Sequence, residues 1–395
     1  MDAARHDLEN VSTIPREEYE SRRAACADIL AERRLAALVV SDPGDLRFLI
    51  GHTGTTDLGP SPFSGAIGAA LVIAQDGKSV FVIGQPESSI IWLDAVDVER
   101  FCYETFTDLT ALRPRVRLAT GVATALERLA VPARAAVGYD ASSLTAAVVA
   151  DLRERLPRSR LVDVDGLVSR LRMTKSPAEI VAIRRCVEVC DMTQLALRER
   201  VTPGMSQVEI LDIARAAVEQ LTGACRPIVL EASYGSASEG YGAGRELREG
   251  DLLLTDIAPQ IDGYWGDSCD TRPLGEPSTE GHRMIRTIGE ALVLGTEAAR
   301  PGVSASRLDE IMRRHVGLTY PPYQGTGGHG IGLDYHESPR LIPGEELVLE
   351  EGMVLALEPG VYLETAMARV EHLVLIAPGG CEVLSRHLDW HARSW

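Results

Sequence analysis

The stretch LLLTDIAPQIDGYWGDSCDTR, from Leu252 to Arg272, narrows the folds open to this chain more than any other. An apolar strand runs into Asp256, a turn lies around Ile261, Asp262 and Gly263, and a return strand carries Asp267. A two-residue turn at 261 and 262 pairs residue 256 with 267, and one at 262 and 263 pairs 256 with 269. Strand alternation puts 267 on the face of 269, so either register aims both aspartates at the same side. Two carboxylates on one face repel each other unless they are protonated or bridged by a cation. For this pair alone, a solvated polar face on an exposed hairpin is the competing reading.

Two later stretches add to the pattern. In YQGTGGHGIGLDYHESP, glycines at 325, 327, 328, 330 and 332 let the backbone approach something closely, with His329 and His336 in or beside the loop. A structural turn would also explain that loop. In EGMVLALEPGVYLETAMARVEHLVLI, one apolar strand ends in Glu358 before Pro359 and Gly360, and another carries Glu371 between Arg369 and Leu373 on its face. A carboxylate inside a buried strand needs a cation or hydrogen-bond donors, and Arg369 is the ordinary candidate. Taken together, the stretches offer four carboxylates and one imidazole. Two divalent cations would balance that charge, and a mostly oxygen donor set with one nitrogen suits Mn²⁺, Fe²⁺, Co²⁺ or Zn²⁺.

With 395 residues the chain exceeds what one core usually supports, so two domains are expected, 1–165 and 166–395. The first alternates helix and strand signals. Residues 15–34 read as a helix, and Leu35–Ser41 as a buried strand ended by Asp42-Pro43-Gly44. Strands at 69–74 and 79–83 flank Gln75-Asp76-Gly77-Lys78, where Asp-Gly predicts a primed hairpin turn. A strand at 135–140 precedes another helix, which makes this an α/β domain. Beyond Ser176, whose side chain, with Pro177 and Glu179, predicts a capped helix start, the pattern changes. Helices near 178–200, 206–222, 280–300 and 304–315 alternate with hairpin-like strands, predicting an α+β domain with an antiparallel sheet.

A net charge of -17 disfavours nucleic acid and anionic lipid as partners. No long apolar run predicts a membrane span, and the polar, acidic start lacks the pattern of a signal peptide, so a cytoplasmic location is expected. The seven cysteines lack a disulfide spacing and are expected as free thiols, with Cys186 and Cys190 at helical i, i+4 spacing. Cys269 shares the strand face of Asp267 and is expected to pack beneath the site. His52, His315, His387 and His391 have no constellation around them and read as surface or packing residues.

In order and spacing the three stretches resemble the motifs of the pita-bread family of methionine aminopeptidase, aminopeptidase P, prolidase and creatinase. The likeness rests on aspartates eleven apart in a hairpin containing Gly-Tyr, then Gly-His-Gly-Ile-Gly, Glu-Pro-Gly and Arg-x-Glu. It covers about residues 165–395 strongly. The preceding domain looks like the N-terminal domain of the creatinase, prolidase and aminopeptidase P branch. This resemblance implies a pita-bread catalytic domain whose metal ligands are Asp256, Asp267, His329, Glu358 and Glu371. It further implies two divalent ions, with Mn²⁺ the leading expectation, bridged by a hydroxide that attacks an amide. His336 would contact substrate or stabilise the tetrahedral intermediate, Glu358 would double as general base, and Arg369 would support the ligands. A homodimer with a small peptide substrate of the Xaa-Pro type is the further implication.

Two departures bear on the substrate. Proline-specific relatives usually carry a His upstream of the first hairpin, where this chain has SASEGYGAGRELREGD, with Glu239 or Tyr241 near that place. They also often have a His four residues before the metal-binding one, where this chain has Gly325. Glu239, Tyr241 and Gly325 are therefore the candidate substrate-binding positions. Metal-dependent hydrolysis or lysis of a small nonpeptide solute, as in ectoine-opening or dimethylsulfoniopropionate-cleaving relatives, is the alternative function. A noncatalytic binding module is disfavoured because the ligand set is complete.

Overall fold

The computed structural model describes residues 14–52, 68–84, 98–104, 114–235, 245–364 and 366–388. The chain forms two compact units, Ile14–Arg172 and Met173–Trp395 with its flanking residues.

In the first unit, α1 (Arg16–Arg33) precedes β1 (Ala37–Val40), α2 (Pro43–Ile50), β2 (Ala70–Ala74), β3 (Ser79–Gly84) and β4 (Glu99–Tyr103). There follow α3 (Pro114–Arg128), β5 (Ala136–Tyr139), α4 (Ala146–Arg155), β6 (Arg160–Asp163) and α5 (Leu167–Met173), which runs to the boundary. The strands form one mixed sheet in the order β4-β3-β2-β1-β5-β6. Central strands β1 and β2 are buried along their whole length, which explains why they read as continuous apolar runs.

Two local expectations need correction here. Asp42-Pro43-Gly44 does not simply end a strand: Asp42 accepts the amide of Asp45 at 2.9 Å and caps α2, with Pro43 at its start. An acceptor followed by a proline with a helical φ is a helix start as readily as a turn. The β2–β3 hairpin forms, but not with a two-residue primed turn. The amide of Ala74 donates to the carbonyl of Lys78 and that of Gly77 to Ala74, both at 2.9 Å, leaving a three-residue loop. Only Gly77 takes a positive φ, +83°, while Asp76 spends its side chain on the amide of Lys78.

In the second unit, α6 (Pro177–Arg200) and α7 (Gln207–Thr222) lead into β7 (Ile228–Tyr234), β8 (Leu252–Ile261), β9 (Tyr264–Trp265) and β10 (Cys269–Pro273). After α8 (Thr279–Ala298) and α9 (Ala305–Val316) come β11 (Gly328–Gly330), β12 (Glu337–Arg340), β13 (Val354–Leu357) and β14 (Gly360–Tyr362). The last strands are β15 (Met367–Arg369), β16 (His372–Ala377) and β17 (Gly380–Val383). Ser176 and Glu179 form the expected reciprocal cap of α6. Among the described residues of this unit the strand pairings are antiparallel, as the hairpin-like spacing predicts. One sheet runs β10-β8-β7 with β9 on β8, a second runs β12-β11-β13-β16-β17, and β14 pairs with β15.

Helix α6 fixes the first sheet through one stripe of side chains at i, i+4, i+8. The Cys186 thiol donates to the carbonyl of Tyr264 at 3.3 Å, and Cys190 points its thiol at that of Ile257 at 3.6 Å. Gln194 Nε2 donates to the carbonyls of Thr255 (3.2 Å) and Ser268 (3.1 Å), and Gln194 Oε1 accepts the Thr255 hydroxyl at 2.8 Å. Gly266 is pressed onto the same stripe, where a Cβ would stand 2.8 Å from Cys190 Sγ and 2.9 Å from the Cys186 carbonyl carbon. Behind the second sheet, Met284, Ile288 and Leu292 of α8 and Leu308 and Met312 of α9 pack on Leu355, Leu357, Val374 and Ile376. Burying each such side chain contributes roughly 1.5–3 kcal/mol, and this holds β13 and β16 against a rigid backing.

Candidate metal centre

The hairpin adopts the second of the two registers open to it. Asp256 stands opposite Cys269 and Ile261 opposite Tyr264, so Asp262 and Gly263 form the turn. Their φ values, +51° and +91°, are those a two-residue primed turn requires. Asp267, two residues before Cys269, therefore shares the face of Asp256. On the other side of β8, Glu231 of β7 stands opposite Asp256.

The second sheet supplies the other donors. His329 sits in β11 opposite Ala356. Gly328 precedes it with φ +152°, where a Cβ would come within 2.0 Å of the Ala356 carbonyl oxygen, so only glycine lets β11 lie against β13 here. Glu358 follows β13, its amide donating to the Gly327 carbonyl at 2.9 Å. Glu371 joins β15 to β16, and its amide donates to the Cys269 carbonyl at 3.0 Å. Thr271 Oγ1 donates to the Arg369 carbonyl at 2.7 Å. These bonds stitch the end of β15 to β10 and bring the donors of both sheets together.

Asp256, Asp267 and Glu371 offer oxygens that all lie within 4.8 Å of one another. His329 Nε2 stands 3.5 Å from Asp267 Oδ2 and 3.9 Å from Glu358 Oε1. Its Nδ1 faces the Gly330 carbonyl at 2.9 Å, so a neutral ring carries its proton there and turns the Nε2 lone pair inward. Asp256 Oδ1, Asp267 Oδ1 and Glu371 Oε1 are buried and accept no hydrogen bond from the described residues. Burial, then the neighbouring Asp267, pushes the Asp256 carboxyl well above the usual range. Burial, then Glu358, does the same to Asp267, and burial with Asp267 beside it does so to Glu371. Carboxylates this crowded call for a cation, and the orphaned oxygens with an inward imidazole are the donor set that divalent metals take. The residues fit such a group.

Arg369 leans into the cluster. Its Nη2 makes a close contact with Asp256 Oδ2, its Nε lies 3.7 Å from Glu358 Oε2, and its Nη1 donates to the Tyr362 hydroxyl at 3.2 Å. The His336 ring stands 4.2 Å from that of His329, centroid to centroid, and partial burial with His329 beside it pushes its pKa down to about 4. A cleft of ≈ 360 Å³ opens beside Glu358 and Arg369, walled by Tyr323, Gly325, Thr326 and Tyr362. A Cβ at Gly325 would meet nothing within 4 Å. Glu239 and Tyr241 lie outside the described residues, as does His391.

Two features escape the sequence reading. Glu231 faces the cluster from β7, and its signal is a lone carboxylate in the strand IVLEASY ahead of the aspartate hairpin. Tyr335 stacks on His336 with ring centroids 4.3 Å apart. His387, expected as a surface or packing residue, is buried, its Nδ1 3.1 Å from Asp191 and its Nε2 3.3 Å from the Cys269 carbonyl, so it packs behind the site.

An antiparallel α+β unit built around a buried carboxylate and imidazole cluster defines a metal-dependent hydrolase of the pita-bread fold. The chain belongs to metallopeptidase family M24, whose family model matches residues 181–378, and the model of the creatinase/prolidase N-terminal domain matches residues 22–174. It is 31% identical over 255 residues to an Xaa-Pro dipeptidase of Pyrococcus horikoshii, covering 62% of this chain and 72% of that one. It is 30% identical over 371 residues to the probable dipeptidase PepE of Mycobacterium bovis, covering 92% and 93%. The crystal structure of dipeptidase PepE from Mycobacterium ulcerans superposes with a TM-score of 0.79 at 25% identity, covering 94% of this chain and 97% of that one.

Proposed function

We propose that this metallopeptidase is a dinuclear-metal dipeptidase or aminopeptidase acting on small peptides, with Xaa-Pro peptides the first candidates. The observation that carries this reading is the set of three buried carboxylate oxygens without a hydrogen-bond partner among the described residues, gathered beside His329 and Glu358. Asp256, Asp267, His329, Glu358 and Glu371 would hold the two divalent ions, of which Mn²⁺ is the first to test. Bound there, the ions supply an activated water at neutral pH and polarise the scissile carbonyl. Glu358, at the edge of the cleft, would take a proton on a carboxylate oxygen. His336, its pKa pushed down to about 4, would donate a ring N–H to the developing oxyanion or the leaving nitrogen. Arg369 and Tyr362 orient the ligands and the cleft wall. The Xaa-Pro dipeptidase and PepE likenesses support the peptide substrate.

A second reading, hydrolysis or lysis of a small nonpeptide solute, draws on the open space at Gly325. Purified protein loaded with Mn²⁺ and offered a panel of dipeptides beside compatible solutes separates the two. Turnover of dipeptides, Xaa-Pro members above the rest, is expected. Full activity after chelation would sink the metal reading, and turnover of solutes with none of any dipeptide would favour the second. Light scattering of the same sample tests the homodimer.

A further inference from the structure

Among the described residues, Glu231 is the one carboxylate against the cluster to which no ligand role has been given. It stands opposite Asp256 on the neighbouring strand, so the two side chains leave the same face of the sheet. Its Oε1 accepts the Ser233 hydroxyl at 2.9 Å, which holds the carboxylate along its own strand. Its Oε2 lies 3.5 Å from Arg369 Nη2, the same nitrogen that contacts Asp256 Oδ2. One guanidinium nitrogen is thus shared between a candidate metal ligand and a carboxylate outside the ligand set.

A cation and a guanidinium compete for Asp256. The guanidinium neutralises the charge a cation would use, and a cation bound there repels the guanidinium. Arg369 is only 16% exposed, so it depends on the carboxylates around it for compensation, and Glu358 at 3.7 Å belongs to the same contested set. Glu231 is the partner that a metal does not claim. We propose that Glu231 is a positioning residue that sets the metal affinity of the site by drawing Arg369 off Asp256. This rests on reading the cluster as a metal centre.

The test is Mn²⁺ titration by calorimetry on the full chain, as wild type, E231Q, R369M and the double variant. In E231Q, Mn²⁺ binding is expected to weaken about tenfold, and in the R369M background the same change is expected to cost less than about threefold, because contacting charges couple. Affinity within twofold of wild type in E231Q overturns the proposal. So does an equal loss with and without Arg369, which is the signature of a bare charge effect. E231D, which keeps the charge and shortens its reach, stands in if E231Q does not fold; it too is expected to weaken binding, and wild-type affinity in it overturns the idea. Wild-type protein that takes up no Mn²⁺, Co²⁺ or Zn²⁺ removes the metal reading itself, a result distinct from metal bound with Glu231 indifferent.

Discussion

Lys175 Nζ donates to Glu337 Oε2 at 2.9 Å, and the two side chains are only 2% and 7% exposed. The other Glu337 oxygen accepts the amides of Leu333 (3.0 Å) and Asp334 (3.2 Å). Lys175 is itself held by its own amide, which donates to the Gly352 carbonyl at 2.9 Å. The pair therefore anchors the turn that presents Tyr335 and His336 to the segment just before α6. Lys175→Met removes the ammonium that contacts the buried Glu337 carboxylate, and a loss of about 3 kcal/mol is expected. Urea unfolding measures it; a loss below about 1 kcal/mol would show that this ion pair is not what holds the turn.

The metal-free protein is expected to lose stability as pH rises. Asp256, Asp267 and Glu371 have folded pKa values raised by burial and by each other, so the folded state binds more protons than the unfolded one above the ordinary carboxylate range. With more protons bound when folded, stability declines with increasing pH through that window. The melting temperature of chelated protein should therefore be higher at pH 5 than at pH 8. Saturating Mn²⁺ should restore it at pH 8, by about 2.7 kcal/mol at a hundredfold excess over Kd. A flat profile for the chelated protein would contradict the crowding of these carboxylates.

Asp267→Asn keeps the shape of the side chain and removes its charge. Activity should fall by roughly 10²–10³-fold, the range for losing one electrostatic contributor in a buried site. Elemental analysis of the same sample should show less metal per chain than wild type. Normal metal content together with normal turnover would remove Asp267 from the ligand set.

His336 is expected to act as a neutral donor. Its pKa, held down to about 4, places its ionisation below the working range, so the activity profile of wild type between pH 6 and 8 should carry no step from this ring. His336→Ala should lower kcat by about 10²-fold with a smaller change in KM, as for a lost proton donor, and should leave the profile shape unchanged over that range. A change confined to KM would make His336 a binding residue only.

Gly328→Ala should be among the most damaging small substitutions. The added methyl would meet the Ala356 carbonyl oxygen, a backbone atom within a paired strand, at a φ that L residues rarely adopt. Steric overlap and backbone strain together suggest a loss of about 3 kcal/mol. Gly325→Ala, with open space around it, is the matched control, and comparable melting temperatures for the two variants would contradict the packing described at β11.

Much of the site was legible in the sequence, because strand parity and turn chemistry are local. Asp256 and Asp267 fall on one face whichever register the hairpin takes, and Ser176, Pro177 and Glu179 announce α6 unaided. Glu358 and Glu371 needed more, since a carboxylate in an apolar strand has several possible explanations until its neighbours are known. Glu231 could not be read locally: it matters because β7 pairs with β8 and sets it opposite Asp256, 25 residues on, a relation that alternation within one strand does not encode. Nor could the pairing of Lys175 with Glu337, whose separation in the chain is 162 residues. The Asp42 cap was missed for another reason, since an acceptor before proline is shared by turns and helix starts.

Gly266, which comes just before Asp267 in the chain, rests against Cys186 and Cys190. The width of a sulfur atom thus helps to set where a candidate ligand stands, and an oxidised or alkylated sulfur would be too thick for the gap. Burial pushes the Cys186 thiol up to about 12 and Cys190 well above its ordinary value, so neither supplies the thiolate that oxidants and electrophiles attack. The spacing is chemically passivated: the packing that makes it intolerant of a modified thiol also keeps the thiol from being modified.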